Sequence, residues 1–176
     1  MLTNQHLYGK IDLLIFQQVY FDRRKDMVDR FEAFTYMISE VSQYWNKIAA
    51  LEMKKYGLKG LYALYLVTLS RHSDGITAAE LSEISNKDKA EISRAVSVLE
   101  KNNLVKRCNI SNNSYRARIL LTEEGDRVAN YLCGRVKIIV EAASDGVTDK
   151  EREIFYKALG IISENLKNIS RDGELE

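Results

Sequence analysis

Two helix starts lie eleven residues apart in this chain, and both are written in the same chemistry: Thr77-Ala78-Ala79-Glu80 and Asp88-Lys89-Ala90-Glu91. Each sets an oxygen-bearing side chain three residues ahead of a glutamate. That is the capping-box spacing, in which the first side chain accepts the third residue's amide and the glutamate reaches back to the first residue's amide. Eleven residues leave room only for a short helix, 78–85, and the turn Asn86-Lys87 before the second helix opens. The chain must therefore reverse quickly, as in a helix-turn-helix.

In the second helix Ile92, Ala95, Val96 and Leu99 recur at helical spacing and are expected to face a core, leaving Lys89, Ser93, Arg94 and Ser97 on the opposite side. Asn102-Asn103 ends this helix, since asparagine is second only to glycine in tolerating a left-handed cap. A hairpin follows, with strands Leu104–Ile110 and Tyr115–Leu121 joined by Ser111-Asn112-Asn113-Ser114. By the period of two, Tyr115, Ala117, Ile119 and Leu121 share one face of the second strand, and Arg116 and Arg118 share the other.

Charge is distributed to match. Residues 87–118 hold eight Lys/Arg against three acids, a local excess of +5, while the remainder carries 18 basic against 22 acidic side chains, or −4. A helix-turn-helix with a basic hairpin is a winged helix-turn-helix, and the partner it fits is double-stranded DNA. Lysine and arginine there meet phosphates, and arginine suits bidentate contact with guanine. The candidate contact residues are Thr77 and Lys87 around the first helix, Lys89, Ser93, Arg94 and Ser97 on the second, and Arg116 and Arg118 on the wing. The alternative is a winged helix that docks a protein partner without binding DNA.

From about Phe31 to Ile169 the chain resembles the MarR family of bacterial transcriptional regulators. The resemblance is carried by Ile92-Ser93-Arg94-Ala95-Val96-Ser97-Val98-Leu99-Glu100-Lys101-Asn102-Asn103-Leu104-Val105-Lys106-Arg107, by Leu121-Thr122-Glu123-Glu124-Gly125 and by Val147-Thr148-Asp149-Lys150-Glu151-Arg152. It implies a homodimer paired through terminal helices, with two winged modules on one near-palindromic operator, and a recognition-helix role for Ser93, Arg94 and Ser97. It also implies repression relieved by a small aromatic effector, for which Trp45, Tyr62 and Tyr65 are the candidate pocket residues. Two departures stand out. Asn103 replaces a usual glycine, and Asn113-Ser114 replaces the usual Asp-Arg of the wing tip, so that Arg116 or Arg118 must substitute.

The flanks read as helices. Thr122 opens an apolar-periodic segment running to Asp145-Gly146. A third capping box, Thr148-Asp149-Lys150-Glu151, opens another with Ile154, Phe155, Leu159, Ile162, Leu166 and Ile169. Upstream, Phe31 to Ile48 defines a long helix and Leu58 to Leu69 a shorter one. The expected fold is mainly α, a winged helix-turn-helix with long flanking dimerisation helices and one hairpin. The expected division is an N-terminal extension at 1–30, dimerisation helices at 31–56 and 145–176, and the DNA-binding module with its following helix at 57–144. More apolar helix lies outside the winged module than one copy can bury, which favours a two-fold dimer. The absence of proline suits long helices.

Ile11, Leu14, Ile15 and Val19 predict one further helix ahead of the charge cluster Asp22–Asp26, as an added dimer arm. Its apolar stretch is too short and interrupted for a signal peptide, and no segment is apolar enough to span a membrane. Cys108 and Cys133 have no metal or redox spacing and are expected as small buried hydrophobes in a reducing, cytoplasmic setting. His72 with Asp74 is expected to be an exposed loop rather than a zinc site. No cofactor and no metal are expected. Ser93 and Ser97 have no histidine in the same module and no glycine-rich phosphate loop follows a strand, so the chain is read as a non-enzyme.

Overall fold

The computed structural model describes residues 27–108 and 117–172. The expected helix before Asp22, the wing tip Ser111–Ser114 and Arg116 lie outside the described residues.

The order of elements is α1 (Met27–Lys54), α2 (Leu61–Ser70), β1 (Ile76–Thr77), α3 (Ala78–Ser85), α4 (Lys89–Lys101), β2 (Val105–Cys108), β3 (Arg118–Leu121), α5 (Glu123–Ala143) and α6 (Asp149–Asp172). The chain divides into two compact units, residues 1–130 and residues 131–176.

Within the first unit the helix-turn-helix forms as its caps dictate. The Thr77 hydroxyl accepts the Glu80 amide at 3.2 Å, and the Glu80 carboxylate accepts the Thr77 amide at 2.7 Å. The second box closes on one side only. Asp88 accepts the Glu91 amide at 2.7 Å, but the Glu91 carboxylate faces Lys87 at 3.7 Å instead of turning back to the Asp88 amide. A lysine directly before the cap competes for that carboxylate, which the spacing rule alone does not register. Between the helices Asn86 takes a left-handed φ of 50°, so the reversal is carried by an asparagine.

Helix α4 buries Ile92, Ala95, Val96 and Leu99; Tyr65, Leu66 and Leu69 of α2, Leu81 of α3 and Ile119 of β3 are buried as well, and these residues form the core of the module. It ends after Lys101, and Asn103 adopts φ 56°. Asn103 thus occupies the left-handed position expected of it.

The sheet is antiparallel in the order β1-β3-β2. Val105 lies opposite Leu121 and Cys108 opposite Arg118, while Ile76 lies opposite Ile119 and Thr77 opposite Arg118. The sequence reading expected a two-stranded hairpin; the third strand, β1, is two residues long and carries no alternation from which to read it. Cys108, expected to be buried, is exposed because β2 is an edge strand whose residues after Val105 face outward.

The Leu121-Thr122-Glu123-Glu124-Gly125 phrase has a physical reason. The Thr122 amide donates to the Leu104 carbonyl, and its hydroxyl donates to the Asn103 carbonyl at 2.6 Å while accepting the Gly125 amide at 3.0 Å. Thr122 therefore caps α5 and ties that helix to the end of α4. A β-carbon on Gly125 would sit 1.8 Å from the Leu104 oxygen, so only glycine permits this approach.

In the second unit the third capping box forms in full, with the Glu151 carboxylate accepting the Thr148 amide at 2.9 Å and Thr148 accepting the Glu151 amide at 3.3 Å. The α6 stripe of Ile154, Phe155, Ile162, Leu166 and Ile169 is exposed in the single chain. No described helix is long and apolar enough to cross a membrane.

Candidate nucleic-acid interface

The exposed face of α4 carries the candidate readers. Lys89, Ser93, Arg94 and Ser97 are all exposed, on the side of the helix away from the buried Ile92, Ala95, Val96 and Leu99. Ser97 donates to the Ser93 carbonyl at 3.0 Å. Lys89 and Arg94 make no ion pair among the described residues, so their charges stand free for a ligand. The helix is thirteen residues long, roughly 20 Å at about 1.5 Å per residue. A body of that size fits the major groove of B-DNA, which is about 12 Å wide.

The other candidates are engaged. The Thr77 hydroxyl is held in the α3 cap, where it also donates to the Glu80 carboxylate at 2.9 Å. The amide and hydroxyl of Thr77, with Arg118 and His72 as smaller contributions, hold the Glu80 carboxyl below the usual carboxylate value of 4.5. Lys87 pairs with Glu91. Arg107, on β2, pairs with Glu100 at 3.6 Å, which ties the wing base to the last turn of α4. Arg118 is half-buried and donates through Nη1 to the Gly75 carbonyl at 2.7 Å. The alternation rule set this residue on an open arginine face; the strand pairing with β1 is what turns it inward. Lys106, exposed on β2, makes no ion pair among the described residues and was not named as a contact from the sequence. Its signal was its place at the start of the basic hairpin.

Of the three pocket candidates, Tyr62 and Tyr65 come together with ring centroids 6.2 Å apart, whereas Trp45 is an exposed residue of α1. Tyr65 is fully buried and its hydroxyl has no hydrogen-bond partner among the described residues. Burial, with added repulsion from Glu91, Tyr62 and Asp88, pushes that hydroxyl up to about 12. An open groove of about 780 Å³ along α1 is lined by Ile38, Ser42, Gln43, Asn46 and Ala50 among others, and by none of the three aromatics. His72 and Asp74 are exposed beside β1, and no cluster of three His, Cys, Asp or Glu side chains stands together among the described residues.

A short helix, a left-handed asparagine turn, an outward-facing second helix and a three-stranded wing base make this a winged helix-turn-helix protein. The family model described as MarR family matches residues 56–110, and solved structures of regulators assigned to that family are similar to this chain in fold. A protein assigned to the MarR family from Listeria monocytogenes, crystallised with a 26mer DNA, superposes with TM-score 0.71 at 24% identity over 86% of this chain and 98% of that one. The transcriptional regulator SlyA gives TM-score 0.72 at 21% identity over 80% and 99%. The S. aureus MepR–DNA complex gives 0.69 at 17% over 76% and 97%. At such identities the likeness establishes the fold. No curated protein sequence matches the chain. The resemblance read from Ile92–Arg107 is borne out by the family model, and the expected winged fold by the solved structures.

Proposed function

We propose that the protein is a sequence-reading, double-stranded DNA-binding regulator of transcription. The observation that carries this reading is the face of α4: four polar residues stand exposed, two of them unpaired cations, on a helix whose opposite side is locked into the core. Such a helix is pre-positioned, so little ordering entropy opposes docking. Arg94 is suited to the O6/N7 edge of a guanine, and Ser93 and Ser97 to base edges or phosphates as short donors and acceptors. Lys89 opens the helix close to where a phosphate would sit at its N-terminus. Relatives of this fold that were crystallised with DNA support the same partner.

The finer parts of the reading are a two-fold dimer, repression and release by an effector. The dimer is supported by the exposed apolar stripe of α6 and by the exposed Phe31, Val41, Trp45 and Leu51 of α1, more apolar surface than a lone copy keeps in water. Two recognition helices would then enter successive major grooves about 34 Å apart. For release by a small aromatic ligand the support is the Tyr62–Tyr65 ring pair, in which the buried Tyr65 hydroxyl has no partner among the described residues. An effector works only through its differential affinity for the two spacings of the recognition helices.

Selection from a random pool of short duplexes tests the reading. Enrichment of a near-palindrome with half-sites one helical turn apart is the expected result. A pool that stays random after repeated rounds would reject it and direct the search to protein partners of the winged module.

A further inference from the structure

Arg118 stands at a junction. It begins β3, opposite Thr77 of β1 on one side and Cys108 of β2 on the other. Its Nη1 donates to the Gly75 carbonyl at 2.7 Å and approaches the Asp74 carbonyl at 3.4 Å. Those carbonyls belong to the turn between α2 and β1, in which Gly75 has φ 72° and its amide donates to the His72 carbonyl. The turn already lies against β3: a β-carbon on Gly75 would sit 2.8 Å from the Ile119 oxygen. Close main-chain approach and a guanidinium thus meet at Gly75.

The junction also touches the helix-turn-helix. Thr77, the partner of Arg118 in the ladder, is the cap of α3, and Glu80 closes that cap. Arg118 and Glu80 border one cleft of about 320 Å³ with Arg71, His72 and Asp74. The β1 strand is only two residues long, so its ladder alone supplies few hydrogen bonds to hold the sheet to the helices. A donor that carries full charge bonds more strongly than a neutral amide. Here it bonds the turn that β1 grows from.

We propose that Arg118 is a positioning residue that latches the wing base to the helix-turn-helix through the Asp74 and Gly75 carbonyls, acting on DNA through the pose of the wing and not through a phosphate contact of its own. The latch makes the orientation of β2 and β3 relative to the helix-turn-helix depend on one guanidinium. Its effect on binding rests on the DNA reading above; the latch itself does not.

The test uses Arg118→Met, which keeps the aliphatic stem and its packing while removing the donors. In the DNA-free protein, amide exchange of residues 75–77 and 119 is expected to rise about tenfold, the scale of one hydrogen bond, while the core amides of α4 are unchanged. Unchanged exchange at 75–77 overturns the latch, whatever the protein binds. On the selected duplex, Arg116→Ala, Arg118→Met and the double variant form a cycle. The latch predicts that adding Arg118→Met to Arg116→Ala weakens binding less than about twofold, because the wing contact is already gone. Independent losses, with the salt slope falling by about one when Arg118→Met is added, would make Arg118 a direct phosphate contact instead. Failure of the wild-type chain to bind any duplex would reject the DNA reading and leave the exchange result to decide the latch.

Discussion

Gly125 and Glu80 show how single residues hold the reading head in place. At Gly125 the absent side chain lets α5 start directly against the Leu104 carbonyl. Gly125→Ala is therefore expected to destabilise the chain by about 1 to 3 kcal/mol, the range for overpacking a filled site, read as a lower midpoint in urea with unchanged slope. A midpoint equal to wild type would contradict the close approach. At Glu80 the sign follows from a lowered native pKa: its contribution is full above the ordinary value of 4.5 and is lost as pH falls through the lower native value. Glu80→Gln is thus expected to be less stable than wild type at neutral pH, with the gap closing in acid. A gap that persists in acid would mean that the charge of the cap is immaterial.

Among the elements, α4 was the most legible from sequence and β1 the least. Helix α4 announces itself through Asp88, through Ile92, Ala95, Val96 and Leu99, and through the asparagine stop at 103, because each is a local signal. Its buried face follows from the 3.6-residue period alone. The half-open second cap was not legible, since it depends on Lys87 drawing the Glu91 carboxylate away. Nor was the inward turn of Arg118, since its partners lie 43 and 44 residues earlier in the chain. Long-range pairing of a two-residue strand leaves no periodic trace, so the wing's outward arginine face was overdrawn on the β3 side. The element-scale prediction concerns the buried side of α4. Leu99→Ala opens a cavity in a fully buried site and is expected to cost about 2 to 5 kcal/mol of stability. Duplex binding at a temperature where the variant remains folded should change little by comparison. A variant with wild-type stability would mean that α4 is not anchored as described.

For the whole molecule, the account turns on assembly. The α6 stripe in one unit and the exposed apolar residues of α1 in the other are surfaces that a regulator with a two-fold operator would bury between copies. Replacing Ile162 and Leu166 by aspartate is expected to shift the sedimenting species from dimer to monomer. Duplex affinity should fall with it, because two linked half-site contacts become one. A wild-type chain that sediments as a monomer at micromolar concentration would remove the dimer from the account but leave the α4 face intact.

That face is the central claim, and fluorescence anisotropy on a selected duplex and a scrambled one of equal length, for wild type and Arg94→Ala at several salt concentrations, tests it most directly. The account predicts salt-dependent binding that favours the selected duplex, with Arg94→Ala losing about 1 to 3 kcal/mol on it and little on the scrambled one. Equal affinity for both duplexes, indifferent to Arg94, would contradict it.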